Sequence, residues 1–252
     1  MLAAQLKTKH GVEVSAWTVR RWLHDMGWVW KRAKLVAQDN DPQRVERLAR
    51  IRWHAERLQA REVMVFADEL DIQLLPKVGC AWMPKGTQVE VMTPGQNQKH
   101  YLAGALELAT GTLHYCLGPR KTNALFRDLL QTVEAAYPAV QYRRIYVVVD
   151  NYQIHKAKAV EDWLAHHPRV TLLFLPTYCP RANPIERAFG DVHDLCTRNH
   201  TRKRLPALVA DVEDHLSRNG PWKYKLSDLY YEPAVTAAVE PIAAEEHAKG
   251  AA

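Results

Sequence analysis

Three nearly unbroken apolar runs, Val63–Phe66, Ile145–Val149 and Val170–Leu175, limit what this chain can become. Runs this short, with no polar residue at every second position, suit strands covered on both faces, so the sheet they form needs helices on either side. The segments between them supply those helices. Residues 123–136 have a helical pattern, residues 155–166 place Ala157, Val160, Trp163 and Leu164 on one side, and residues 204–218 suggest a further helix. Residues 72–118 are split into short β-like runs by Pro84-Lys85-Gly86 and Thr110-Gly111, as in a hairpin or meander. The order β, meander, α, β, α, β, α predicts an α/β fold, a mixed sheet between helical layers. A chain of 252 residues, 47% of them hydrophobic, can fill such a core. The Ala- and Glu-rich end after Glu232 is expected to be poorly ordered, and the eight tryptophans to lie mostly in the core.

Other classes drop out. No apolar run approaches the roughly 18 residues of a membrane span, and Met1 is followed by no signal-peptide pattern, so the expected location is the cytoplasm. Cys80, Cys116, Cys179 and Cys196 are too scattered for a zinc site or a disulfide framework and read as small core residues.

The net charge of +6 is localised. Residues 1–60 carry twelve Lys or Arg against six Asp or Glu, a surplus equal to that of the whole chain. A basic arm on a neutral body suggests a nucleic-acid contact. Within the arm, Ser15 is a plausible N-cap, Val19, Trp22, Leu23 and Met26 follow helical spacing, and Gly27 stands where the helix would stop. Arg20, Arg21 and His24 point away from that stripe, and an earlier helical stretch, Leu2 to Lys9, precedes Gly11, as in a helix-turn-helix. Trp28 to Lys34 interleaves aromatic and basic residues, with Lys31, Arg32 and Lys34 placed as a wing would place them on phosphates. Residues 41–60 form a charged helix with Val45, Leu48, Ile51 and Leu58 on one face.

The chemistry lies in acids at strand ends. Asp68 and Glu69 are expected just past the first buried strand and Asp150 just past the second, where open α/β sheets build sites. Glu186 is the third candidate, and its pattern is ambiguous. Asn183 could cap a helix with Pro184 first in it, which would make Glu186 a capping-box residue. Clustered carboxylates repel one another and stay ionised only beside cations; Mg²⁺, a hard ion that takes oxygen ligands, suits them.

These segments carry a family resemblance. Phe66-Ala67-Asp68-Glu69, then Val149-Asp150-Asn151 with His155 five residues beyond the aspartate, then Leu175-Pro176 through Asn183-Pro184-Ile185-Glu186, together resemble transposases of the mariner superfamily, in particular the bacterial insertion-sequence-630 branch. Thirty-five residues lie between Asp150 and Glu186, similar to the second spacing of that superfamily's Asp-Asp-Glu triad. Gly79 to Gly86 around Trp82, Gly104-Ala105-Leu106 before Thr110-Gly111, and Asp41-Pro42 also match. Cys179, Ala182 and Phe189 stand where serine, leucine and tryptophan are common, and Leu70-Asp71 follows the first acid.

The resemblance implies a ribonuclease-H-like catalytic domain over 61–200, a winged helix-turn-helix over 1–40 that lacks a preceding helix-turn-helix, a connecting helix at 41–60, and a C-terminal helix and tail at 201–252. Asp68, Asp150 and Glu186 would hold two Mg²⁺ ions, with Mn²⁺ as substitute, and Glu69, Asn151, His155 and Asn183 would support them. His155 reads as beginning a helix, where it would touch a phosphate, orient a water or make a helix-start hydrogen bond. Arg20, Arg21, His24, Lys31, Arg32, Lys34, Arg202 and Lys203 would contact double-stranded DNA, both terminal repeats and target. The implied reaction is metal-dependent cleavage at transposon ends and transfer of the 3′-hydroxyl to target DNA at TA sites, by a homodimer or larger assembly at the bacterial nucleoid. The alternatives are a truncated, non-catalytic DNA-binding remnant or regulator, and a general ribonuclease-H-like nuclease.

Overall fold

The computed structural model describes residues 2–29 and 41–250, the last six by their backbone alone. Two compact units divide at residue 38. In the first, α1 (Leu2–His10) and α2 (Ala16–Asp25) are joined through Gly11, whose φ of 67° only glycine adopts freely. Ser15 caps α2 by accepting the Thr18 N–H at 3.1 Å. The expected apolar stripe is only partly covered: Val19 is buried and Leu23 half-buried, but Trp22 and Met26 are exposed. Trp28 and Val29 belong to no strand, and Trp30, Lys31, Arg32 and Lys34 lie outside the described residues.

The second unit begins with α3 (Arg44–Glu56) and β1 (Glu62–Gln73), followed by β2 (Lys99–Glu107), β3 (Leu113–Gly118), α4 (Asn123–Ala136), β4 (Arg144–Val149), α5 (Lys158–His166), β5 (Val170–Phe174), α6 (Ile185–Val192), α7 (Leu205–Asn219) and α8 (Pro233–Gly250). Among the described residues, five strands make one sheet in the order β3-β2-β1-β4-β5, antiparallel on the β2 and β3 side and parallel on the β4 and β5 side. This is the mixed, ribonuclease-H-like sheet expected.

Alternation along the strands sorts the core into layers. Val63, Val65, Ala67 and Val147 pack on Phe126, Leu129 and Leu130 of α4 and on Val160 and Trp163 of α5. On the opposite face Met64, Phe66 and Val148 meet Leu48 and Ile51 of α3, while Leu70, Ile72, Leu102 and Leu106 meet Ile185 and Phe189 of α6 and Leu208 and Val212 of α7. That face therefore carries two apolar clusters side by side.

Several expectations need correction. Asp68 and Glu69 do not follow β1; they lie inside it, because β2 continues to pair with β1 from Val65 to Gln73 after the parallel ladder with β4 stops at Phe66. The expected hairpin or meander is realised by β1, β2 and β3, though the stretch between Gln73 and Lys99 holds no named strand. Trp17, Trp22, Trp28 and Trp82 are exposed, so more than half of the tryptophans among the described residues lie outside the core. Cys80 is exposed too, while Cys116, Cys179 and Cys196 are partly buried.

The C-terminal segment is a helix and not a loose tail. Val235, Val239 and Ile242, spaced for one helical face, are buried with Leu48 and Ile51. Ile242→Ala is expected to cost about 2 kcal/mol, the low end for such truncations. An unchanged melting temperature would mean that α8 contributes nothing to the core. No helix among the described residues is long and apolar enough to cross a membrane.

Candidate active site

Asp68 has the same strand parity as Phe66 and Leu70, and so stands in the gap between the two clusters on that face. Its partner across the β1–β2 ladder is Gly104. A side chain at 104 would meet the Phe189 ring at 3.0 Å and Ile185 at 3.3 Å, so the glycine is what lets α6 settle this close to the sheet. Asn183 fastens the start of the same helix: its Nδ2 donates to the Ala67 carbonyl at 3.1 Å, next to Asp68. Glu186, in the first turn of α6, is thereby brought to the cleft that Asp68 lines.

Asp150 arrives from the neighbouring strand. The last parallel pair joins Phe66 to Val148, so Asp68 and Asp150 each stand two residues past it. Asn151 ties the following loop down, donating to the Leu175 carbonyl and accepting from Arg47 at 2.9 Å and Lys156 at 2.8 Å. Asp41 adds a second tie, accepting the Thr177 N–H at 2.8 Å. Asp68, Asp150 and Glu186 line one cleft of about 350 Å³ with Asn151, Tyr152, Asn183 and the 175–180 loop.

The carboxylates differ in charge state. Burial, then the negative charges of Glu186, Glu69 and Asp150, push Asp68 up to about 8. Burial also opposes ionisation of Asp150, but hydrogen bonds from His155 and the Tyr152 N–H and the positive charges of His155 and Lys121 outweigh it and leave its pKa lowered. Environments that drive neighbouring carboxylates in opposite directions are common where carboxylates do chemistry. Glu186 is exposed, and its carboxylate makes no hydrogen bond among the described residues.

His155 sits behind this row in a short 3-10 turn, Gln153–Lys156, not at the start of a helix. It is 2% exposed, too buried to touch a phosphate. Its Nδ1–H donates to Asp150 Oδ1 at 3.0 Å and its Nε2–H to Glu69 Oε1 at 3.1 Å. Burial disfavours the imidazolium, yet these two carboxylates hold its pKa at about 9. Glu69 lies on the opposite sheet face from Asp68, its side chain 1% exposed, and also pairs with Lys121 at 3.2 Å. Lys121, just before the Thr122 cap of α4, is a member of the site that sequence reading misses, as is Arg47. Asp71 turns to Lys99 at 3.6 Å and takes no part.

The donor set suits a hard cation: three carboxylates line one cleft, where burial and then the neighbouring negative charges hold the Asp68 carboxyl well above the usual range. As the side chains stand, no three such groups among the described residues are close enough to hold an ion. Asp150 in particular is engaged by His155 and Tyr152.

Of the other expected contacts, Arg20, Arg21 and His24 are exposed on α2, with Arg21 over the Trp17 ring at 5.1 Å. Lys203 is exposed, while Arg202 grips Asp211 through two bonds of 2.5 and 2.8 Å.

Residues 63–209 match the family described as DDE superfamily endonuclease, and residues 1–48 match the winged helix-turn-helix. The chain belongs to the DDE superfamily of endonucleases. This DDE chain is 37% identical over 222 residues to the uncharacterized 39 kDa protein of insertion element IS630 from Shigella sonnei. The match takes in 88% of this chain and 64% of that protein, so the chain spans just under two-thirds of its relative's length. Among solved structures it is similar to the Mos1 transposase paired-end complex with left transposon end (TM-score 0.62, 17% identity, covering 96% of this chain and 72% of that one). The mariner Mos1 paired end complex with Mg is similar at a TM-score of 0.60, with 17% identity over 94% of this chain and 72% of the other. At these identities the likeness is one of fold.

Proposed function

We propose that the protein is a DNA transposase that cleaves phosphodiester bonds at the ends of a mobile element and transfers the freed 3′-hydroxyl to a TA site in target DNA. The observation that carries this reading is the convergence of Asp68, Asp150 and Glu186, from two strands and a helix, on one cleft. These three would hold divalent cations. Bound there, Mg²⁺ or Mn²⁺, proposed as a pair, would supply Lewis acidity to the phosphodiester undergoing displacement. The protein's share is positioning, which dominates phosphoryl transfer. His155 and Lys121 keep Asp150 ionised, and Gly104 and Asn183 set where Glu186 projects. Arg20, Arg21, His24, Lys31, Arg32 and Lys34 grip DNA, as does Lys203 in the second unit. Arg202 would first have to release Asp211. Joining two element ends requires two copies of the chain, so the working form is a dimer or larger assembly at the bacterial nucleoid. The IS630 relative and the Mos1 complexes with DNA ends support this reading.

Nicking of supercoiled plasmid by the purified protein in Mg²⁺, Mn²⁺ or EDTA tests it, with Asp150→Asn alongside. Cuts are expected only with metal, and only in the wild type, while both proteins bind DNA equally. A variant that still cuts removes Asp150 from the chemistry. A wild type that binds without cutting is a non-catalytic remnant or regulator.

A further inference from the structure

The acidic cleft does not end at Glu186. Pro180, Asn183 and Glu186 are shared with a wider cleft of about 600 Å³ that Arg181, Arg187, Lys225 and Asp228 also line. The three cations come from the loop before α6, from α6 itself and from the loop after α7. All three are exposed, and none has an ion-pair partner among the described residues. Arg187 lies over the Tyr224 ring at 5.4 Å, which positions the guanidinium without neutralising it. Glu232, which feels Arg181, is already held by Arg44 at 2.8 and 3.0 Å.

The basic run at 198–204 is different. Arg198 pairs with Asp194 at 2.7 Å and Arg202 with Asp211, and Arg218 pairs with Asp214 at 2.7 Å, so within that run Lys203 and Arg204 are left without an ion pair among the described residues and the other two arginines are neutralised. Unpaired cations spread along an open cleft suit a chain of phosphates better than a single anion, and guanidinium groups match phosphate oxygens two at a time.

We propose that the Arg181, Arg187 and Lys225 cleft binds the backbone of the DNA strand next to the cleaved bond, so that the strand passes over Glu186 into the acidic site. The proposal rests on the nuclease reading of the acidic cleft. Binding of a short fluorescent DNA duplex by the full chain, measured against salt in EDTA, tests it apart from cutting. With Arg181→Gln, Arg187→Gln and Lys225→Gln combined, the slope of log affinity on log salt should flatten by about 2 to 3, given roughly 0.9 per lost phosphate contact. Lys225→Gln alone, on an exposed loop, should flatten it by up to about 0.9. In metal, the combined variant should need more plasmid for half-maximal nicking yet reach a similar rate at saturation. Slopes unchanged in both folded variants would overturn the proposal even if the wild type cuts. Cutting that survives Asp150→Asn would overturn the nuclease reading and leave the slopes to be judged alone.

Discussion

Replacing Asp68 by asparagine is expected to stabilise the protein at pH 8 in EDTA while abolishing metal-dependent nicking. The two effects have one origin. Asp68 lies in the middle of β1, between two apolar clusters and facing Glu186, and its pKa is raised from 3.8 to about 8. Between those values the unfolded chain has released the proton and the folded chain keeps it, so ∂ΔG/∂pH is negative and stability falls as pH rises from about 4 to 8. The loss approaches about 1.4 kcal/mol for each unit of pKa difference, several kcal/mol by pH 8, or several degrees in melting temperature. Asparagine carries no charge to bury and should be flat over this range. His155, with its folded pKa near 9, contributes stability that is complete below its ordinary value of 6.5 and fades as pH rises through 9. That term is common to both proteins, so the difference between their melting curves isolates Asp68.

Divalent cation should narrow that difference. At 100 times its dissociation constant a ligand that binds only the folded state adds about 2.7 kcal/mol, and the wild type should gain this at pH 8 where the asparagine variant does not. An asparagine variant less stable than wild type at pH 8 in EDTA would show that neither burial nor the charges of Glu186, Glu69 and Asp150 hold the Asp68 carboxyl above its ordinary range.

Much of this architecture is legible along the chain because the signals are local. The apolar runs at 145–149 and 170–175 fold as β4 and β5, and the helical pattern at 123–136 folds as α4 behind the Thr122 cap. What is not legible depends on partners far away in sequence. Beyond Phe66, β1 reads as a charged loop because it carries Asp68, Glu69 and Asp71; only the ladder with β2, some thirty residues later, keeps it extended. Alanine and glutamate after Glu232 resemble a solvated tail, yet alanine is also the best helix former, and Val235, Val239 and Ile242 give α8 a stripe to bury. The layer behind the acids is half visible. Glu69 and His155 stand out as supporting residues, but Lys121 does not, since the contact linking all three crosses from β1 to the start of α4 and to the turn after β4. The triad itself is reached through family resemblance. Spacing alone leaves Glu186 a helix cap.

That ambiguity leads to the second large effect: Glu186→Gln should leave the fold intact and remove cleavage. A capping-box glutamate would return its carboxylate to the Asn183 N–H, but that group donates to the Pro180 carbonyl at 2.9 Å. Asn183 spends its own amide on Ala67, and its Oδ1 is only 3.4 Å from the Ile185 N–H. The position entering α6 is held by Pro184, which needs no cap partner of its own. Glutamine therefore loses no hydrogen bond; it forfeits only the interaction of a negative charge with the helix N-terminus, about 0.3 to 1 kcal/mol, and relieves repulsion on Asp68 in return. Thermal unfolding should shift by no more than a few degrees. Nicking should fall by more than the 10- to 100-fold typical of losing a group one step removed from the metal. Because Glu186 is the largest charge acting on Asp68, the pH range over which stability declines should also shrink from its upper end. Unchanged nicking would remove Glu186 from the chemistry, and a large drop in melting temperature would mean that it caps α6 after all. Lost cleavage, a retained fold and a narrower pH range together arise only if the carboxylate faces Asp68 across the cleft and acts there.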